Sequence, residues 1–213
     1  MGFVIAVDGP AASGKGTISS KLAEAFGFPH LDTGLLYRGV AALVNAAGGD
    51  LDDEAAAAML AQQLDLNALD DSALRTRAAG EAASRVAAHP KVREALIAAQ
   101  RAFAAREPGA VLDGRDIGTV IAPNAQAKLY LTASPEARAG RRSKQLEAAG
   151  AAVTYADILA DIRRRDARDG GRSTAPMRPA PDAVLLDTTN LGIDGAFDAA
   201  LRIVEAARDA HRG

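Results

Sequence analysis

Between Gly9 and Thr17 the chain reads Gly-Pro-Ala-Ala-Ser-Gly-Lys-Gly-Thr, which contains the spacing G-x-x-x-x-G-K. Glycines reach backbone geometries that side chains forbid, so successive N–H groups of such a loop can converge on phosphate oxygens. Lys15 adds a mobile positive charge for the terminal phosphates. In the general pattern a Ser or Thr follows the lysine directly, where its hydroxyl can meet Mg²⁺. Here Gly16 holds that place and Thr17 comes one step later. Mg²⁺ is therefore expected to be held mainly by phosphates and water, with no protein ligand assigned, and Thr17 to serve a phosphate. No N-K-x-D guanine reader occurs in the chain.

Two further constellations carry charge in places that suit a ligand. Leu31-Asp32-Thr33-Gly34 is a second loop signal, followed by Tyr37 and Arg38. Thr33 is expected to cap a helix beginning at Leu35, with Tyr37 and Arg38 one turn on near the same end. An anionic acceptor there would meet Arg38 and free backbone amides. Asp113-Gly114-Arg115-Asp116 follows the short apolar run Ala110-Val111-Leu112. In doubly wound sheets, ligands bind at such carboxyl ends of strands.

These groups need a frame. Phe3-Val4-Ile5-Ala6-Val7 is a continuous apolar run suited to a buried parallel strand, and Ile18 to Phe26 has helical spacing until Gly27 stops it. Further strands are expected at Ala110–Leu112, Ala127–Leu131 and Ala183–Asp187. Helices are expected over Leu35 to Ala47, from Pro90, from Pro135 with Ser134 as its cap, over Tyr155 to Arg168, and over Asp194 to His211. Strands separated by helices predict an α/β fold of the P-loop NTPase type, with about five parallel strands covered on both faces. The core is expected to comprise 1–32, 106–135 and 179–213. Residues 33–105 and 136–178 hold helices without convincing strands and read as inserts, the first for the acceptor and the second an arginine-rich lid.

Composition bounds the function. The 213 residues carry a net charge of −2, so a nonspecific nucleic-acid or membrane-surface binder is not expected. Alanine is about a quarter of the chain and Trp is absent, so the few large apolar residues must sit in a central layer. Five of the 25 basic residues are lysine and the rest arginine, a residue that binds phosphate bidentately. There is no cysteine, hence no disulfide or thiolate chemistry, and three scattered histidines make no metal site. No apolar run reaches membrane-spanning length and no signal peptide is visible, so a cytoplasmic monomer is expected.

Taken in order, the motifs resemble those of the bacterial cytidylate kinase family. The resemblance runs through Asp8-Gly9-Pro10 to Thr17, through Leu31-Asp32-Thr33-Gly34 to Tyr37-Arg38, and through Ala83-Ser84-Arg85-Val86-Ala87 with Val92-Arg93-Glu94-Ala95-Leu96. It continues in Asp113 to Ile121 and in Arg165-Asp166-Ala167-Arg168-Asp169-Gly170-Gly171-Arg172. The resemblance implies transfer of phosphate from ATP to CMP and dCMP. It implies ATP contacts along Gly9, Pro10, Ala11, Ala12, Ser13, Gly14, Lys15, Gly16 and Thr17. It implies a CMP site drawn from Thr33, Tyr37, Arg38, Ser84, Arg93, Gly114, Arg115, Asp116, Arg165, Asp169 and Arg172, with Arg165 and Asp169 at the pentose. The segment Leu64 to Ser72 is short where longer members carry a small antiparallel insert.

Phosphoryl transfer needs positioning and charge neutralisation more than covalent chemistry. Lys15 and the arginines Arg138, Arg142 and Arg165 are the expected catalytic groups, with Arg141 a further lid candidate on the same helical face as 138, 142 and 145. A carboxylate such as Asp116 could accept from cytosine N4, which uracil lacks. Two alternatives remain open on the residues alone: a UMP/CMP or other small-molecule kinase on the same fold, and an ATP-binding regulator.

Overall fold

The N-terminal apolar run forms β1 (Phe3–Asp8), in which Ile5, Ala6 and Val7 are fully shielded from solvent. The computed structural model describes residues 2–65, 69, 71–148 and 150–212. It divides into two compact units, Met1–Leu31 with Ala104–Gly213, and Asp32–Phe103.

In the first unit β1 runs into α1 (Lys15–Phe26) and then β2 (His30–Asp32). The second unit contributes α2 (Thr33–Ala46), α3 (Glu54–Gln62), α4 (Asp71–Leu74), α5 (Arg77–Val86) and α6 (Pro90–Ala104). The chain then supplies β3 (Gly109–Gly114), a π turn (Ile117–Ile121), β4 (Ala127–Thr132), α7 (Pro135–Ala148), α8 (Tyr155–Gly170), β5 (Val184–Asp187) and α9 (Ile193–Arg212). The five strands form one sheet in the order β2-β3-β1-β4-β5. Four of these strands coincide with sequence-predicted ones. The fifth, β2, lies where a loop is expected: its three residues are only partly buried, and no apolar run announces it.

The register positions the chemistry. β1 runs parallel to β3 and β4, with Asp8 beside Gly114 on one side and Tyr130 on the other. The loops that follow these strands therefore leave the sheet at one end, the carboxyl end. Beneath them lies a core of Ile5, Val7, Val111, Leu129 and Leu131, packed by Ile18 and Leu22 of α1 and Ala200 and Val204 of α9. β5 runs parallel to β4 at the outer edge of the sheet, with Val184 46% and Leu185 63% exposed.

One further local feature differs from the sequence reading. Thr33 is the first residue of α2 rather than its cap, and Asp32 takes the cap position with extended backbone. Residues 66–68 and 70, within the short segment Leu64 to Ser72, lie outside the described residues. Elsewhere the expected caps are present: Ser134 Oγ accepts from Ala137 N–H at the start of α7, and Pro90 opens α6. Within the second unit α2 packs on α3 and α5, and Leu36, Val40, Val44, Ala57, Ala61, Ala82 and Val86 of these helices are buried. Among the described residues no helix is long and apolar enough to cross a membrane.

Candidate active site

The phosphate loop leaves β1 at Gly9, whose φ of 149° suits glycine; a Cβ there would stand 2.0 Å from the Leu131 carbonyl oxygen. Gly14 holds the left-handed conformation at the head of α1 (φ 90°), so the glycine is needed for backbone shape rather than for space. Ala12 also has positive φ (59°), unusual for a residue with a side chain. Between Ala12 and Gly14, Ser13 is buried and its hydroxyl has no hydrogen-bond partner among the described residues. Lys15 opens α1, largely buried, with Nζ donating to the Pro10 carbonyl at 3.3 Å. Gly16 follows it and Thr17 is exposed.

The loop is braced from outside. Arg138 Nη1 donates to the Ala11 carbonyl at 3.2 Å, and the Thr188 hydroxyl donates to that of Ser13 at 3.2 Å. Arg141 donates to the Thr188 carbonyl and hydroxyl. A guanidinium or hydroxyl that binds a loop carbonyl from outside leaves the amide on the other face of that peptide turned inward. α7 and α8 pair through Ala139, Ile158 and Ile162, and Ala12 of the loop packs on that small core. Arg138 itself is buried and donates to both carboxylate oxygens of Asp166 at 3.0 and 2.5 Å. Arg142 donates to Gln145 at 3.3 Å and has no carboxylate partner among the described residues; partial burial lowers the basicity of its guanidinium.

At the carboxyl end of β3, Asp113 is buried and pairs with His30 at 2.8 Å. Gly114 and Arg115 follow. The Arg115 guanidinium reaches the Gly114 carbonyl and, at 3.0 Å, the carboxylate of Asp169. Asp169, 1% exposed at the end of α8, also takes Arg172 at 2.5 Å and has Arg165 3.8 Å away. Four of the expected acceptor residues thus meet at one buried carboxylate, which is flanked by three guanidiniums. Guanidiniums gathered in this way are the donors that bind phosphate bidentately. Asp116 is buried at the head of the π turn.

The second unit carries the other expected acceptor residues. Thr33 and Tyr37 are buried on α2, and Ser84 is buried on α5, the helix packed against it. The Arg93 guanidinium lies 5.5 Å from the centre of the Tyr37 ring, a cation–π distance. Arg38 donates to the carbonyls of Leu74 and Thr76 at 2.6 and 3.3 Å.

Sequence reasoning named Asp8 only as part of a motif, with no role, and passed over Thr188. Asp8 ends a buried strand with a charged residue, and that is the signal that could have marked it. Thr188 offers no such signal, since only the fold brings it to Ser13.

A parallel sheet whose first strand opens into a lysine-bearing phosphate loop places the protein among the phosphate-loop kinases. The Cytidylate kinase family model matches residues 5–206, and the chain belongs to that family. It is 66% identical to cytidylate kinase from Caulobacter vibrioides (strain NA1000 / CB15N), covering 100% of both chains. It is 56% identical to cytidylate kinase from Rhizobium meliloti (strain 1021), over 97% of this chain and 98% of that one. The fold is shared with a gluconokinase from Sinorhizobium meliloti 1021, at TM-score 0.51 and 16% identity over 99% of this chain and 95% of that one. An uncharacterized protein from Eubacterium ventriosum ATCC 27560 shares it at TM-score 0.55 and 14% identity, over 95% and 98%.

Proposed function

We propose that the protein transfers the γ-phosphoryl group of ATP to CMP and dCMP, giving ADP with CDP or dCDP. The observation that carries this reading is the convergence of Arg115, Arg165 and Arg172 on Asp169, in the unit that also holds the phosphate loop. A phosphate oxygen of the acceptor attacks the γ-phosphorus in line, and the bond to the bridging oxygen of ADP breaks. The acceptor is already an anion, so no general base is required.

Gly9 to Thr17 cradle the donor phosphates through backbone amides, with Lys15 against the terminal ones. Arg142 is the lid cation best able to meet the transferring group, because no carboxylate among the described residues holds it. Arg138 serves by bracing the loop at Ala11. By family resemblance, Thr33, Tyr37, Arg38, Ser84 and Arg93 belong to the CMP site, with Arg165 and Asp169 at the pentose; the Asp116 carboxylate is the group suited to accept from the amino group of cytosine. Gly114 and Arg172 complete that site.

The donor set suits magnesium held by phosphates and water. Among the described residues no group of three or more His, Cys, Asp or Glu could cage a metal, and Gly16 offers no hydroxyl. When bound, magnesium neutralises charge on the β- and γ-phosphates. The cysteine-free chain suits the reducing cytoplasm, and we assign it to that compartment as a monomer.

The test is ADP formation from ATP with CMP, dCMP, UMP, AMP, GMP and shikimate in turn, with Lys15→Ala as control. Turnover on CMP and dCMP alone is expected. Equal use of UMP would remove base reading from Asp116. ATP binding without turnover on any acceptor would make the protein a regulator.

A further inference from the structure

Asp8 takes no part in the chemistry above, yet it sits where the two loops of the site begin. It closes β1 and is 3% exposed. Oδ1 accepts from the Ile117 N–H and Oδ2 from the Gly118 N–H, both at 2.8 Å. These are the first two amides of the π turn. Amides at a helical N-terminus have no partner within their own turn, and Asp116 at the cap position supplies none from its side chain. A carboxylate on the neighbouring strand does the capping instead. A Cβ on Gly118 would make ordinary contact with Asp8 Oδ2 at 3.5 Å and a tighter one with Lys128 Cδ at 3.3 Å.

On the other side of Asp8 the phosphate loop starts at once, with Gly9 pressed against Leu131. One side chain therefore ties the residue before the phosphate loop to the residues just after Arg115 and Asp116. A buried carboxylate with both oxygens engaged by amides costs much to rearrange, so the tie is stiff.

We propose that Asp8 is a positioning residue that sets the Arg115–Asp116 segment against the phosphate loop and thereby governs acceptor binding. This rests on the reading of Arg115 and Asp116 as acceptor groups. Asparagine at position 8 keeps the shape and one acceptor oxygen, but turns an NH₂ toward one of the two amides. The clamp on the π turn is then halved, while the backbone leading to Gly9 is unchanged.

The experiment is steady-state kinetics of Asp8→Asn in the full chain, with ATP and CMP varied independently and UMP as competing acceptor. The expected result is a rise in KM for CMP of roughly ten-fold, the size of one charge-assisted hydrogen bond, with KM for ATP within about two-fold. The preference for CMP over UMP narrows in parallel. Equal rises in both KM values, or no rise for CMP, would overturn the inference. If Asp8→Asn does not fold, Asp8→Ser, which withdraws the carboxylate from both amides without adding bulk, must raise KM for CMP selectively; an unchanged KM there overturns the inference as well. Arg115→Ala separates the two readings. If it leaves KM for CMP unchanged, the acceptor reading has failed and Asp8 with it. If it raises KM while Asp8→Asn does not, only the Asp8 inference is lost.

Discussion

Arg138 and Asp166 form a two-pronged ion pair between α7 and α8, at 3.0 and 2.5 Å, and the same guanidinium reaches the Ala11 carbonyl of the phosphate loop. The arginine is 3% exposed, so this pair is screened little by solvent. Removing Arg138 leaves the Asp166 carboxylate, 25% exposed, without its partner, so water offsets part of the loss. Arg138→Ala is expected to cost about 2 kcal/mol, lowering Tm by roughly 4–8 °C, and to raise KM for ATP. Thermal melts check the first part and donor kinetics the second. In Arg138→Met/Asp166→Ala the stability should return while KM for ATP stays high, because the Ala11 carbonyl is still unbraced.

Arg142 presents the opposite case. Among the described residues no carboxylate holds it, so truncation should leave the fold alone. Arg142→Ala is expected to lower kcat by on the order of 10²-fold at unchanged Tm, the usual size for one donor to a developing negative charge. Full kcat in this variant would assign the transferring phosphate to another cation.

Lys15→Ala tests the donor end. Its ammonium is largely buried and already directed along the loop toward Pro10. Single-turnover measurements should show phosphoryl transfer slowed by about 10³-fold or more.

Asp116→Asn addresses the base. Cytosine offers an N4 amino donor where uracil offers an O4 acceptor, and a carboxamide can serve either. The ratio of kcat/KM for CMP to that for UMP is expected to fall on the order of 10²-fold. An unchanged ratio would place base reading elsewhere.

Burial pushes the Asp8 carboxyl up to about 7 from its ordinary 3.8, against the pull of its two amide bonds; Asp116 pushes the same way and Arg115 against. Tyr130, the neighbour on β4, is itself raised by burial and by the Asp8 charge. A raised acid holds its proton longer in the folded state than in the unfolded one. Asp8 therefore lowers stability progressively as pH climbs from about 4 to about 7, and its penalty is constant above that. The clamp works in the other direction, because both amides need the ionised form. We expect kcat/KM for CMP to fall as pH drops through about 7, with that limb absent in Asp8→Asn. Denaturant titrations across the same range should show wild type losing stability relative to Asp8→Asn as pH rises.

The phosphate loop was legible in the sequence because its chemistry is local: spacing, glycines and flanking elements lie within one strand–turn–helix. The same holds for the Arg115–Asp116 loop, announced by a short apolar run. β2 was not legible, because three partly buried residues carry no pattern of their own and only pairing in the sheet makes them a strand. The lid arginines show the other limit. Helical spacing puts 138 and 142 on one face, but Asp166, which engages one and not the other, lies 28 residues further along the chain. Asp8 illustrates it again: its amide partners are more than 100 residues away.

The outer strand β5 bears on how the protein behaves in concentrated solution. An edge that exposes Val184 and Leu185 invites another chain to pair with it. Here the edge is four residues long and carries Asp187 at one end, with Asp182 two residues before the other. Hydrogen bonds from Lys128 to Asp182 and from Thr189 to Asp187 hold both carboxyls below their ordinary pKa. Lys128 neutralises the charge on Asp182, so Asp187 is the carboxylate that a second copy of the edge would meet with its own like charge. A short edge that ends in one such carboxylate carries its oily rim beside a built-in repulsion.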